Sequence, residues 1–217
     1  MNSQIKALIF DFDGMLFDSE LAWGRAHILF LKEHKILPND RVEANFFGSG
    51  LVDAVKMMKD KMGLVGETCD LVADYRRLFY EEFFKIKDVL MDGALEILEK
   101  AKEKQLDIAM TSGGHTKEKL IEILKLHKIY DYFSVIVSSD DVAHGKPAPD
   151  VYLEALKELK LNEHVCLAFE DSPNGVEAAV AAGILVYGIN KDEKTRNDLI
   201  KSGAGKVFAS LKDIELI

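Results

Sequence analysis

Cysteine is nearly absent: Cys69 and Cys166 are the only two among 217 residues. They are too few and too scattered for a disulfide framework or a zinc site, so a reducing, cytoplasmic setting is expected. Proline is scarce as well (Pro38, Pro147, Pro149, Pro173), and no repeat or low-complexity linker interrupts the chain. No apolar run approaches the roughly 18 residues of a membrane span. The N-terminus lacks the basic segment and apolar stretch of a signal peptide. Positive charge is also short, with 28 Lys and Arg against 37 Asp and Glu, a formal net charge of −9. That excess argues against nucleic acid or an anionic membrane as the main partner. It leaves room for a phosphorylated metabolite, because a local metal ion and a lysine override the global field. Apolar residues, at 48%, are ample for a core, and the length allows one domain plus a smaller insertion.

From about residue 92 onward, strand-like runs at 106–111, 134–138, 165–169, 184–189 and 206–208 alternate with helical patterns at 93–104, 116–127, 150–159, 174–182 and 193–201. Together with a buried strand at 5–10, this alternation predicts an α/β fold, a Rossmann-like parallel sheet with helices on both faces. Residues 17–87 break the pattern: 18–34, 51–62 and 68–85 read as helices with no strand between them. The expected organisation is a core of 1–16 and 88–217 with a helical cap of 17–87, hinged near Phe17 and Asp88. Ligands in such sheets bind beyond the carboxyl ends of the strands, so the insertion would overhang the site as a lid.

Chemistry gathers at the strand ends. Phe10-Asp11-Phe12-Asp13-Gly14 closes the first strand, and side chains two apart share a face. Two carboxylates held this close repel unless a cation lies between them or one is protonated. The pair suits a hard divalent metal with one carboxylate left as nucleophile, although a DxDG turn is the plainer alternative. The second strand runs into Thr111-Ser112-Gly113-Gly114, a hydroxyl and close-approaching backbone before a helix start that favours phosphate. Ser112 can equally be a simple helix cap. Gly145-Lys146-Pro147-Ala148-Pro149-Asp150 is a stiffened loop with one lysine, which alone would read as a solvated surface residue. Glu170-Asp171-Ser172 supplies a second acidic pair, or the capping region of the next helix.

Taken together and in this order, the four segments resemble the haloacid dehalogenase-like hydrolase superfamily. Within it the likeness is to the β-phosphoglucomutase-like phosphatases with a small helical cap. The resemblance covers the whole chain, including Asp171-Ser172-Pro173-Asn174-Gly175 and Ala182-Gly183. It implies a Mg2+-dependent phosphatase acting on a small sugar or nucleotide phosphate through an aspartyl phosphate. Asp11 would be the nucleophile, Asp13 the general acid and base, and Lys146 the partner of Asp11 and of a phosphoryl oxygen. Ser112 and the N–H of Gly113 would hold another oxygen, with Thr111 as the alternative hydroxyl. The metal would be held by Asp11, the carbonyl of Asp13, Asp171 and Glu170, the last directly or one shell out. A monomer is expected.

Departures from the family bear on substrate. Met15 stands where threonine or valine is usual, and its bulk would narrow the entrance. The mutases carry a cap histidine and a phosphate-gripping arginine where this chain has Trp23 and Leu51. Neither replacement can do that work, which favours hydrolysis over the alternative of a sugar-phosphate mutase. A non-catalytic binding module is the other alternative, disfavoured by the intact Asp11, Asp13, Lys146 and Asp171. Trp23 would stack on the leaving group or pack within the cap. Arg76 and Arg77 read as a solvated helix face, and most of the six histidines as surface residues, with His115 near enough to the glycines to approach phosphate.

Overall fold

The computed structural model describes residues 4–39 and 50–216. The strands β1 (Ala7–Asp11), β2 (Asp107–Ser112), β3 (Val135–Ser138), β4 (Cys166–Glu170), β5 (Leu185–Ile189) and β6 (Lys206–Phe208) form one sheet in the order β3-β2-β1-β4-β5-β6. Every pairing is parallel. Helices α1 (Glu20–Glu33), α2 (Leu51–Met62), α3 (Thr68–Phe83) and α4 (Ala94–Glu103) lie between β1 and β2 in the chain. Then α5 (Lys117–Leu126) precedes β3, α6 (Asp150–Leu159) precedes β4, α7 (Pro173–Ala181) precedes β5 and α8 (Glu193–Lys201) precedes β6. The expected α/β fold is therefore the observed one.

Alternation along the strands divides the core. Leu8 and Phe10 of β1 and Leu167 and Phe169 of β4 pack with α4 and α5 on one face. The rings of Phe10 and Phe169 stack there at 4.7 Å. Ala7, Ile9 and Ala168 pack on the other face with Tyr152 of α6, Val176 of α7 and Leu199 of α8. Each face thus removes a continuous apolar stripe from water, the main favourable contribution to folding. β1, β2 and β4 run one residue further than the apolar pattern shows, taking Asp11, Ser112 and Glu170 into strand geometry. Hydrophobicity marks where a buried stripe ends, whereas ladder pairing with neighbouring strands carries the backbone onward.

The chain leaves β1 for β2 and β3 on one side and returns to β4 on the other. This reversal places the switch point, where such sheets bind ligands, at the carboxyl end of β1. Over it lie α1 and α3, packed on each other: Phe30 stacks on Tyr75 at 4.6 Å and Trp23 lies 4.1 Å from Phe79. The two chain crossings into these helices run side by side. Asp18 N–H donates to the Val89 carbonyl at 2.7 Å, and Met91 N–H to that of Leu16 at 2.9 Å.

Residues 46–49 of the segment Phe46-Phe47-Gly48-Ser49-Gly50-Leu51 lie outside the described residues, whereas Gly50 and Leu51 are described. Met15 does not narrow any entrance: it is fully buried in the cluster beneath the helices. The reason is that a long apolar side chain gains more from that cluster than from the polar mouth of the site.

Candidate active site

Strand parity builds the site. Asp11 follows Ala7 and Ile9 on one face of β1, and Glu170 follows Cys166 and Ala168 on the same face of β4. Thr111, beside Asp11 in the ladder, continues the parity of Ala109. Ser112 falls with Ile108 and Met110 on the opposite face. Its hydroxyl accepts from the Gly114 N–H at 3.3 Å, while the buried Thr111 hydroxyl has no partner among the described residues.

Lys146 enters this face from the loop before α6 and is buried. Its ammonium donates to Asp11 Oδ1 and, at 2.5 Å, to Glu170 Oε1, which also accepts from the Tyr152 hydroxyl at 2.6 Å. Lys146, which taken alone would read as a solvated surface residue, is instead buried against Asp11 and Glu170. Two glycines make room for the acids. A Cβ at Gly175 would stand 2.0 Å from Glu170 Oε2, and one at Gly14 (φ +68°) would stand 1.9 Å from Asp171 Oδ2. A side chain at either position would displace the carboxylate beside it.

Asp11, Glu170 and Asp171 bring one carboxylate oxygen each within 4.8 Å of one another. Burial and the repulsion of Glu170 and Asp13 outweigh Lys146 and push Asp11 up to about 8. Burial, with Asp11 and Glu170 beside it, pushes Asp171 well above the ordinary carboxylate range too. One ammonium does not neutralise this group. Its all-oxygen donor set fits a hard divalent cation, which would relieve the repulsion.

Asp13 faces a different company. Its Oδ1 accepts from the Ser19 hydroxyl at 2.6 Å and from the Trp23 indole N–H at 2.8 Å, and His115 Nε2 lies 3.2 Å away. Burial works to raise its pKa, but His115, Ser19 and Trp23 together hold the carboxyl below its usual value. Trp23 therefore both packs in the helices and reaches the acid, a role that neither sequence alternative contained. His115 is completely buried, and only His144 and His164 are exposed among the six histidines. His27, His34 and His127 are half-buried, so the expectation of a surface residue fails for His115, whose ring is sheltered by aromatic neighbours and an acidic partner. Sequence periodicity cannot register either.

Arg76 also departs from expectation. From α3 it makes a bidentate pair with Asp140 (2.7 and 2.8 Å), and its Nε donates to the Gly114 carbonyl at 2.9 Å. Only the fold brings Asp140, 64 residues away, within reach. Arg77 does lie on the exposed face, paired with Glu33 and Glu81. Leu51 is buried, and its N–H donates to the Gly113 carbonyl at 3.2 Å.

A parallel sheet with its acids at the switch point, a lysine between them and helices overhead defines a hydrolase of a recognisable kind. The chain belongs to the haloacid dehalogenase-like hydrolase family, whose model matches residues 8–189. A phosphorylated carbohydrates phosphatase of Thermotoga maritima is 28% identical over 92% of each chain. Protein CbbY of Rhodobacter capsulatus is 31% identical over 90% of this chain and 89% of its own. The crystal structure of a β-phosphoglucomutase from Clostridium difficile superposes with a TM-score of 0.83, covering 98% of this chain and 94% of that one at 20% identity, a likeness of fold. Within the family the chain falls in the β-phosphoglucomutase-like group and is a phosphoric monoester hydrolase.

Proposed function

We propose that this protein is a Mg2+-dependent phosphatase of a small phosphorylated metabolite, with a sugar phosphate as the leading substrate class. The observation that carries the reading is Asp11, which accepts from the buried Lys146 ammonium beside Glu170 and Asp171 at the carboxyl end of the central strand. The phosphorylated-carbohydrate specificity in the name of the Thermotoga relative supports the substrate class.

Asp11 attacks phosphorus, forming an aspartyl phosphate as the ester P–O bond breaks. Dividing one hard displacement into two lowers each barrier. Asp13 gives its proton to the departing oxygen, then takes one from the water that cleaves the acyl phosphate and frees Asp11. Its lowered pKa suits the second step, and the arriving phosphate dianion favours protonation for the first. Lys146 holds Asp11 in place and neutralises a phosphoryl oxygen. The free hydroxyl of Thr111, on the face of Asp11, fits the phosphate better than Ser112, and the Gly113 N–H would add a second donor. Asp11, Asp171, the Asp13 carbonyl and Glu170, the last directly or one shell out, would hold magnesium, which would supply charge neutralisation at phosphorus.

Residues 17–87 serve as the cap, hinged at the paired crossings around Phe17 and Leu90. Hydrolysis rather than mutase chemistry is supported by Trp23, which engages Asp13, and by Arg76, which is paired to Asp140. A cytoplasmic setting fits the unpaired Cys69 and Cys166. Among the described residues no helix is long and apolar enough to cross a membrane.

The test is turnover of para-nitrophenyl phosphate and a panel of phosphorylated sugars with magnesium and with chelator. Asp11→Asn is expected to lower activity by at least about 10³-fold, without loss of fold, because the nucleophile is gone. Near-native turnover by that variant overturns the reading.

A further inference from the structure

Asp13 is held unevenly. Ser19 and Trp23 both donate to Oδ1, while His115 Nε2 lies 3.2 Å from Oδ1 and 3.2 Å from Oδ2, straddling the carboxylate. An ionised carboxylate only accepts, so the hydrogen on this face of the imidazole sits on Nε2. The other nitrogen, Nδ1, lies 3.0 Å from the hydroxyl of Tyr80. The Tyr80 phenol is half-buried and stays protonated, its pKa pushed up chiefly by the loss of solvent around it, so its O–H donates to Nδ1. The imidazole is boxed by Phe12 and Phe79, each 4.8 Å away. Its own backbone carbonyl accepts from the Ser138 hydroxyl. The ring therefore has both nitrogens engaged and no freedom to turn.

We propose that His115 is a positioning residue for the acid–base carboxylate. It locks the rotation of Asp13, so that Oδ1 stays with Ser19 and Trp23 and Oδ2 is the atom that passes the proton. Tyr80 of α3 fixes His115 in turn, so the overhanging helices help set the acid's aim. The proposal rests on the reading of Asp13 as general acid. A carboxylate free to rotate spends part of its time with its proton directed away from the leaving oxygen. That loss is greatest where departure most needs protonation.

The experiment compares kcat/KM, with magnesium, for para-nitrophenyl phosphate and for an alkyl phosphate that the enzyme accepts. This ratio reports the step in which the ester bond breaks, before the acyl phosphate is hydrolysed. His115→Ala is expected to lose about 10²-fold on the alkyl ester and less than about threefold on the nitrophenyl ester. His115→Gln, whose amide N–H can reach the position of Nε2, should recover most of the loss. Tyr80→Phe keeps the ring and removes only the hydroxyl. It should lose several-fold on the alkyl ester alone, and it carries the test if the alanine variant does not fold. Equal losses on the two esters, or none on either, overturn the role of His115. The underlying reading is judged separately, by whether the unaltered protein turns over both esters and the Asp11→Asn variant neither.

Discussion

Asp11 is costly to bury, and its pKa says how that cost varies with pH. Burial raises its pKa in the folded protein to about 8, whereas in an unfolded chain it ionises near the ordinary aspartate value of 3.8. Between those values the native state holds a proton that the unfolded state has lost, so stability falls as pH rises through that window. Asp171, shifted the same way, adds to the slope. A divalent cation bound among the carboxylates favours their ionised forms and removes the penalty. The melting temperature in chelator should therefore fall from about pH 5 to about pH 8, and the increment gained from magnesium should grow over the same range. Differential scanning fluorimetry at several pH values reads both. A magnesium increment that is flat with pH would show that these carboxylates do not take up the ion.

At the scale of elements, α3 ties the helices between β1 and β2 to the loops that follow β2 and β3. Arg76 and Tyr80 are four residues apart and so share one helical face. The first grips Asp140 and the Gly114 carbonyl, the second His115. A bidentate pair this sheltered is worth about 1 kcal/mol, enough to bias an opening motion without freezing it. Arg76→Ala or Asp140→Asn should speed amide exchange across residues 68–83 and lower kcat/KM by roughly fivefold to tenfold, in line with that energy. Exchange left unchanged in both variants would show that the pair does not hold α3 down.

Across the whole molecule one apolar cluster runs from the sheet into the insert. Phe10 and Phe169 on the sheet belong to the same buried group as Phe12, Phe17, Phe30, Phe79 and Phe83. A shared core of this kind makes neighbouring units unfold together. Trp23 is the only tryptophan and sits in α1, so its fluorescence reports the insert, while far-UV circular dichroism reports all helices and strands. In urea the two transitions should coincide. A fluorescence midpoint clearly below the dichroism midpoint would mean that the insert comes apart first and that the cluster does not couple it to the sheet.

The sequence by itself determined the order of strands and helices, the parallel sheet and the four acidic, hydroxyl and lysine motifs at strand ends. Each depends on local periodicity or on a short contiguous run. Parity along β1 and β2 was in the sequence too: it sets Thr111, not Ser112, on the face of Asp11, once the ladder pairs Asp11 with Thr111. Only the tertiary structure decided the company of Asp13. Ser19 and Trp23 reach it from one stretch of chain and His115 from another, and Tyr80 and Arg76 arrive beside it from a third. Nothing in a residue's neighbours along the chain encodes such meetings. They follow from how the helices dock over the sheet, where distance in sequence no longer governs distance in space.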